Sequence, residues 1–200
     1  MLYNLTTVNL VFDFDGTICD GTNTVVEILN IKLKEIGYPK TSKSELRNSG
    51  LKGILSSRKV SMDKLKGTPF SGKKLFNKRI PHLKTFLGLP EVLSQLAQKH
   101  NLSIVTSNAK YNVDDFLKHN HLGQIFSSII GDSEIFGKEE AIKEAQADYY
   151  IGDETRDIEA ARKAGVKAVS VTWGFESKTS LQKSSPDFLI TRPSQLLTLL

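Results

Sequence analysis

The chain is 200 residues long, 39% hydrophobic and 24% charged, which suits one globular domain or a core carrying a small insertion and excludes a fibrous, repetitive or low-complexity protein. Its one cysteine, Cys19, rules out an internal disulfide and a cysteine-built metal site; with no leader pattern and no apolar run near the ~20 residues that cross a bilayer, a cytoplasmic, membrane-free setting is expected. The net charge of +5 is unevenly spread: residues 20 to 84 hold 15 Lys or Arg against 5 Asp or Glu, and the rest hold 12 against 17.

The first patterned stretch, Val8 to Thr17, reads VNLVFDFDGT. Leu10, Val11, Phe12 and Phe14 predict a buried strand ending near Asp13, followed by a turn over Gly16. A buried strand has no structural use for two carboxylates two residues apart, so Asp13 and Asp15 are the first candidates for a site. Taken alone, the stretch equally suits an Asp-Gly turn, a plain hairpin or a calcium-type loop.

From Thr22 to Ile36, the apolar residues Val25, Leu29, Leu33 and Ile36 recur at helical spacing, and Gly37 with Pro39 ends the pattern. Residues 41 to 59 predict two shorter helices broken near Gly50 and Gly53, and residues 60 to 80 are rich in Lys, Gly and Ser with weak periodicity. The whole span reads as a small, mostly helical insertion over residues 20–83, set into a core of residues 1–19 and 84–200. Its positive charge suits a solvated lysine surface or attraction of an anionic substrate. Nucleic acid is the weaker choice of partner, because no recognition motif appears and Tyr38, Phe70 and Phe76 form no binding pattern with the basic residues.

Beyond Gly88, Pro90 sits in a first helical turn with Val92, Leu93 and Leu96 on one side. A strand from Leu102 to Val105 ends in Thr106, Ser107 and Asn108. There follow a helix from about Val113 to His119, a strand from about Ser127 to Ile130, a helix from about Lys138 to Gln146, and a strand from Tyr149 to Ile151 closed by Gly152 and Asp153. A helix from Ile158 to Ala164, a strand from Lys167 to Val171, and a last short strand and helix over Asp187 to Ile190 and Leu196 to Leu200 complete the chain. Strands alternating with helices at this spacing predict an α/β fold, a Rossmann-like parallel sheet with helices on both faces. In such a sheet the strand ends share one edge, so Asp13, Asp15, Thr106, Ser107, Asn108, Lys138, Asp153, Glu154 and Asp157 converge. His82, His100, His119 and His121 show no metal-site spacing and read as surface residues, and Asp132 reads as a loop residue.

Asp-Phe-Asp-Gly-Thr-Ile after an apolar strand, Ile-Val-Thr-Ser-Asn, Gly-Lys at 137 and 138, and Tyr-Ile-Gly-Asp-Glu-Thr-Arg-Asp at 150 to 157 resemble the four ordered motifs of the haloacid dehalogenase-like (HAD) hydrolase superfamily. The likeness is closest to its phosphoglycolate phosphatase-like members and spans essentially the whole chain, with the inserted segment in the place of the family's helical cap. The stretch Phe86-Leu87-Gly88-Leu89-Pro90 departs from the Pro-Gly that relatives carry before this helix, which bears on cap motion rather than on chemistry.

The resemblance implies a Mg2+-dependent phosphatase acting on a small phosphorylated metabolite through an aspartyl-phosphate, and the residue types agree with it. Asp13 suits the nucleophile, and Asp15 suits the proton donor to the leaving alcohol and then the acceptor from water. Thr106 and the N–H of Ser107 suit the phosphoryl oxygens, and Lys138 offsets their charge. A hard divalent cation would take carboxylate oxygens from Asp13 and Asp153 and, as the family implies, the backbone carbonyl of Asp15, with Asp157 behind them holding metal-bound water or Lys138. Each residue also has a plainer role available: Thr106 as a helix cap, Lys138 as a first-turn surface residue, Asp157 as a cap or salt-bridge partner. Arg47 and Lys52 of the insertion are the candidates for substrate contact. A phosphomutase keeps both carboxylates, and a binding module that has lost turnover keeps the fold, so both stand as alternatives; the oligomeric state is not readable.

Overall fold

The structure is a computed structural model that describes residues 7–67, 71–133 and 137–199. Phe70 and Leu200, named above, lie outside the described residues. Six strands form one parallel sheet: β1 (Asn9–Phe12), β2 (Asn101–Val105), β3 (Ser128–Ile130), β4 (Tyr149–Gly152), β5 (Lys167–Val171) and β6 (Phe188–Ile190). Their order is β3-β2-β1-β4-β5-β6. The chain therefore winds outward from β1 to β3, then returns to place β4 against β1's other side. The loops after β1, β2 and β4 open a crevice at that reversal, where open α/β sheets take their ligands.

Side chains alternate across a strand, so Leu10 and Phe12 of β1 enter one apolar layer and Val11 enters the other. The first layer packs α5 (Leu89–Leu96) and α6 (Lys110–His119) on the sheet through Leu93, Val113 and Phe116. The second packs α7 (Lys138–Glu144) and α8 (Thr155–Ala164) through Ile142, Ile158 and Ala161, and α9 (Lys178–Lys183) through Leu181. Covered on both faces, the strands read as continuous apolar runs rather than as alternation, which is why they were visible in sequence. His100 departs from the surface position expected of it: only 7% exposed, its Nδ1 faces the N–H of Val8 where the sheet begins.

The inserted segment is helical, with a third apolar cluster of its own built on Leu29, Leu33, Leu46, Ile54 and Leu55. It contains α1 (Thr22–Glu35), α2 (Lys43–Ser57), α3 (Met62–Lys66) and α4 (Gly72–Asn77). The chain leaves and re-enters the core side by side, with the Asp20 N–H donating to the Lys84 carbonyl at 2.9 Å. α2 breaks once, at Gly50, whose φ of 61° and ψ of 175° are not helical; Gly53 stays inside the second half. The weakly periodic stretch 60 to 80 holds two helices too short to show a period, each started by a serine: Ser61 accepts from the Lys64 N–H and Ser71 from that of Lys74.

The start of α2 is pinned by Glu45, which takes a two-pronged bond from Arg58 at 2.6 and 2.9 Å and a third from the Thr41 hydroxyl at 2.7 Å. These bonds, Arg58's first, pull the Glu45 carboxyl down to about 2 from its ordinary 4.5. A depressed acid stabilises the fold above its unfolded value and loses that contribution as pH falls toward its folded one. Glu45 is 35% exposed on its side chain, so solvent screens the pair. Glu45→Gln is expected to cost on the order of 1 kcal/mol near neutrality, with the gap from the parent closing as melts followed by circular dichroism are moved below pH 4.5; a gap independent of pH contradicts this.

Candidate active site

Asp13 follows directly on β1 and is 2% exposed, its N–H continuing the ladder to the Ile151 carbonyl at 2.8 Å. The chain then folds back at once: Gly16 has a φ of 83°, and the Phe14 carbonyl collects the N–H groups of Ile18 and Cys19, both at 2.9 Å. Asp153 follows β4 with no exposure, and Asp157 lies in the first turn of α8, 2% exposed. Carboxylate oxygens of Asp13, Asp153 and Asp157 all lie within 4.8 Å of one another.

An ammonium pairs with two of them. Lys138, the first residue of α7 and 12% exposed on its side chain, donates to Asp13 Oδ1 at 2.9 Å and Asp157 Oδ1 at 2.7 Å. It is both a first-turn residue and a buried one, because Gly137 before it, with a φ of 89°, turns the helix start into the site. Asp157 serves as cap and as ion-pair partner together: its Oδ2 accepts from the N–H groups of Asp153 at 3.1 Å and Glu154 at 3.0 Å, closing the start of α8.

Asp13, Asp153 and Asp157, with Asp15 and Glu154 beside them, outnumber the Lys138 ammonium and the Arg156 guanidinium that act on them, leaving excess negative charge in a desolvated place. Burial raises Asp13, with Lys138 pulling it down and Asp157 pushing it up again. Burial also drives Asp153 well above an ordinary carboxyl, followed by the charges of Glu154, Asp157 and Asp13. A hard divalent cation with oxygen ligands supplies what this donor set lacks, so the residues present fit one. Backbone shape keeps the oxygens there: a Cβ on Gly16 or Gly174 would fall 2.3 or 2.2 Å from Asp153 Oδ2, and one on Gly152 would fall 2.5 Å from Asp157 Oδ2.

Above the carboxylates is a cavity of ≈ 200 Å³ lined by Asp13, Asp15, Thr106, Ser107, Asn108 and Arg156 from the core, and by Phe76 and Asn77 from the insertion. Asp15 Oδ2 accepts from Asn108 Nδ2 at 3.0 Å, while its buried Oδ1 has no hydrogen-bond partner. Burial, then the charge of Asp13, lifts the Asp15 carboxyl to about 7. Thr106 is not a cap for α6, which begins after Ala109; its Oγ1 accepts from the Asn108 N–H at 3.1 Å.

Asp13, Asp15, Thr106 and Ser107 thus meet around one cavity, and Lys138, Asp153 and Asp157 cluster with Asp13. Arg47, expected near substrate, points elsewhere: its Nη2 donates to the Thr172 carbonyl. Four participants escaped the sequence reading. Thr17 donates to Asp153 Oδ1 at 2.8 Å, and Phe175 donates its N–H to Asp153 Oδ2 at 2.6 Å. Tyr150 reaches Val105's carbonyl at 3.1 Å and Asp13 Oδ1 at 3.4 Å, and Asn112 fixes the Asn108 amide at 2.8 Å. Only the Gly-Thr after Asp15 and the Asn ending the Thr-Ser-Asn run hinted at them.

A raised acid carries a stability penalty that is absent below its unfolded value and grows as pH rises toward its folded one. For Asp15 that window runs from 3.8 to about 7. In the presence of a chelator, Asp15→Asn is therefore expected to melt above the parent at pH 8 and level with it below pH 4, measured by scanning calorimetry. A variant that melts lower at pH 8 contradicts the assignment.

Residues 10–171 match the family model described as haloacid dehalogenase-like hydrolase. A phosphoglycolate phosphatase from Synechococcus elongatus is 34% identical over 94% of both chains, and one from Aquifex aeolicus is 26% identical over 96% of this chain and 95% of its own. Among solved structures, a putative phosphatase from Clostridium difficile superposes with a TM-score of 0.76 at 21% identity, covering 97% of this chain and 98% of that one. In fold and in sequence, the chain belongs to the haloacid dehalogenase-like hydrolase family.

Proposed function

We propose that this chain is a phosphatase that hydrolyses a small phosphate monoester of the phosphoglycolate type, with residues 20–83 forming a cap over a core of residues 1–19 and 84–200. One observation carries the reading: Asp13, Asp15, Thr106 and Ser107 line one cavity, and Asp13 joins that cavity to the cluster of Asp153, Asp157 and Lys138. Its volume of ≈ 200 Å³ falls below the roughly 300–1,000 Å³ of sites that take drug-sized ligands, in keeping with a small metabolite. The relatives named phosphoglycolate phosphatase support that class. The paired Asp20 and Lys84 backbones and the separate apolar cluster support the division into cap and core. The lone buried Cys19 is in keeping with a reducing, cytoplasmic setting.

Asp13 is the nucleophile: one carboxylate oxygen bonds to phosphorus as the ester P–O bond breaks. Lys138 holds Asp13 Oδ1, which fixes the carboxylate's direction, and its ammonium meets charge gathering on the phosphoryl oxygens. Thr106 and the Ser107 N–H hold two of those oxygens. Asp15, whose carboxyl burial and the charge of Asp13 lift to about 7, gives its proton to the departing alkoxide. The same carboxylate, now charged, takes a proton from the water that attacks phosphorus, releasing phosphate and restoring both groups. Asp13, Asp153 and the Asp15 backbone carbonyl would hold Mg2+, with Asp157 supporting from behind; when bound, it offsets the repulsion between carboxylates and phosphate.

The purified protein is expected to release inorganic phosphate from p-nitrophenyl phosphate and 2-phosphoglycolate with Mg2+ and not with EDTA. Asp13→Asn should lower kcat by about 10³-fold or more, the scale seen when a nucleophile is removed. Turnover indifferent to Asp13→Asn or to EDTA contradicts the reading. Isomerisation of a sugar phosphate without phosphate release would point to a phosphomutase.

A further inference from the structure

The loop 172–177 after β5 lies between the cap and Asp153. Phe175 donates its N–H to Asp153 Oδ2 at 2.6 Å, and Gly174 packs where a Cβ would be 2.4 Å from that residue's own Cβ. Trp173 Nε1–H donates to the Thr17 carbonyl at 3.1 Å, and the Thr17 hydroxyl donates to Asp153 Oδ1 at 2.8 Å. Both oxygens of Asp153 are thus held by this loop, one directly and one through a single intermediary. Glu176 ties the loop to the core, accepting from Thr155 Oγ1 at 3.1 Å and Ser180 Oγ at 2.8 Å.

From the cap, one residue grips the loop at both ends. Arg47 of α2 sends its Nη2 to the Thr172 carbonyl, and its own carbonyl accepts the Ser177 N–H at 2.8 Å. Its Nε is buried without a hydrogen-bond partner, so the guanidinium is held there at a desolvation cost that an apolar contact would not carry.

We infer that Arg47 is a positioning residue: seating of the cap through Arg47 fixes the loop 172–177, and the loop fixes the orientation of Asp153. The inference rests on the proposed reading of Asp153 as a metal ligand. It gives cap closure a consequence beyond excluding water, because the carboxylate is fully aligned only when the cap is seated. It also makes α2, which carries no residue lining the catalytic cavity, part of the site's support.

Trp173, the only tryptophan of the chain, lies in the loop and reports on it directly. Arg47→Met removes the guanidinium donors and keeps the backbone carbonyl. It should raise the quenching of Trp173 fluorescence by acrylamide and weaken Mg2+ binding, read by calorimetric titration of the substrate-free protein, by about 10-fold, the usual effect of losing a group that orients a ligand. Arg47→Lys, which keeps the charge and a donor nitrogen, should recover part of both, and it carries the comparison if Arg47→Met fails to fold by circular dichroism. Unchanged Mg2+ affinity in a folded variant overturns the inference, whether or not Trp173 quenching rises. A parent protein that binds Mg2+ but hydrolyses no monoester removes the phosphatase reading alone, since neither readout uses turnover; a parent that binds no Mg2+ removes the metal reading and this inference together.

Discussion

The site depends on holding three carboxylates closer together than their charges allow. Asp13, Asp153 and Asp157 share one buried pocket with Lys138 as the ammonium between two of them. An isolated buried charge is costly, and like charges at this spacing raise one another's affinity for protons. The cluster persists because nearly every oxygen has a fixed partner: Lys138 for Asp13 and Asp157, Thr17 and the Phe175 N–H for Asp153, two backbone N–H groups for Asp157. What remains is an excess of negative charge open to a cation, and the proposed chemistry uses that excess.

The fold makes the arrangement possible by bringing β1, β2 and β4 side by side at the point where strand order reverses. Residues 13, 106 and 153 then leave the sheet at one edge, and the glycines at 16, 152 and 174 give way to carboxylates that no side chain there would tolerate. Asp13, Thr106 and Asp153 sit on the ends of packed strands, while Phe76 and Asn77, at the end of the inserted segment's last helix, add the remaining wall of the cavity, with Phe76 packed against the sheet's own apolar layer.

Much of this was legible in the sequence because it is locally anomalous. Asp13 and Asp15 stand out in an apolar run, and Asp153 follows a Gly that ends another, so the sheet and the carboxylates announce themselves together. The supporting groups are ordinary by comparison. Thr17, Tyr150 and the Phe175 N–H act only through partners that the chain reaches by long excursions, Asn112 reaches Asn108 one helical turn back, and a threonine or a backbone amide carries no mark of such a role. Within the insertion only the short elements were hidden, since α3 and α4 are too short to show a period; Arg47 was singled out for substrate contact, and its contact with Thr172 carries no mark in a basic segment.

The proposed chemistry requires the cluster of Asp13, Asp153 and Asp157 to be a divalent-cation site. Crystals grown with Mn2+ in place of Mg2+ test it most directly, through an anomalous difference map. One dominant peak bonded to carboxylate oxygens of Asp13 and Asp153 is expected, lost in Asp153→Asn. An ion bound elsewhere, with that cluster held only by Lys138 and its hydrogen bonds, would contradict it.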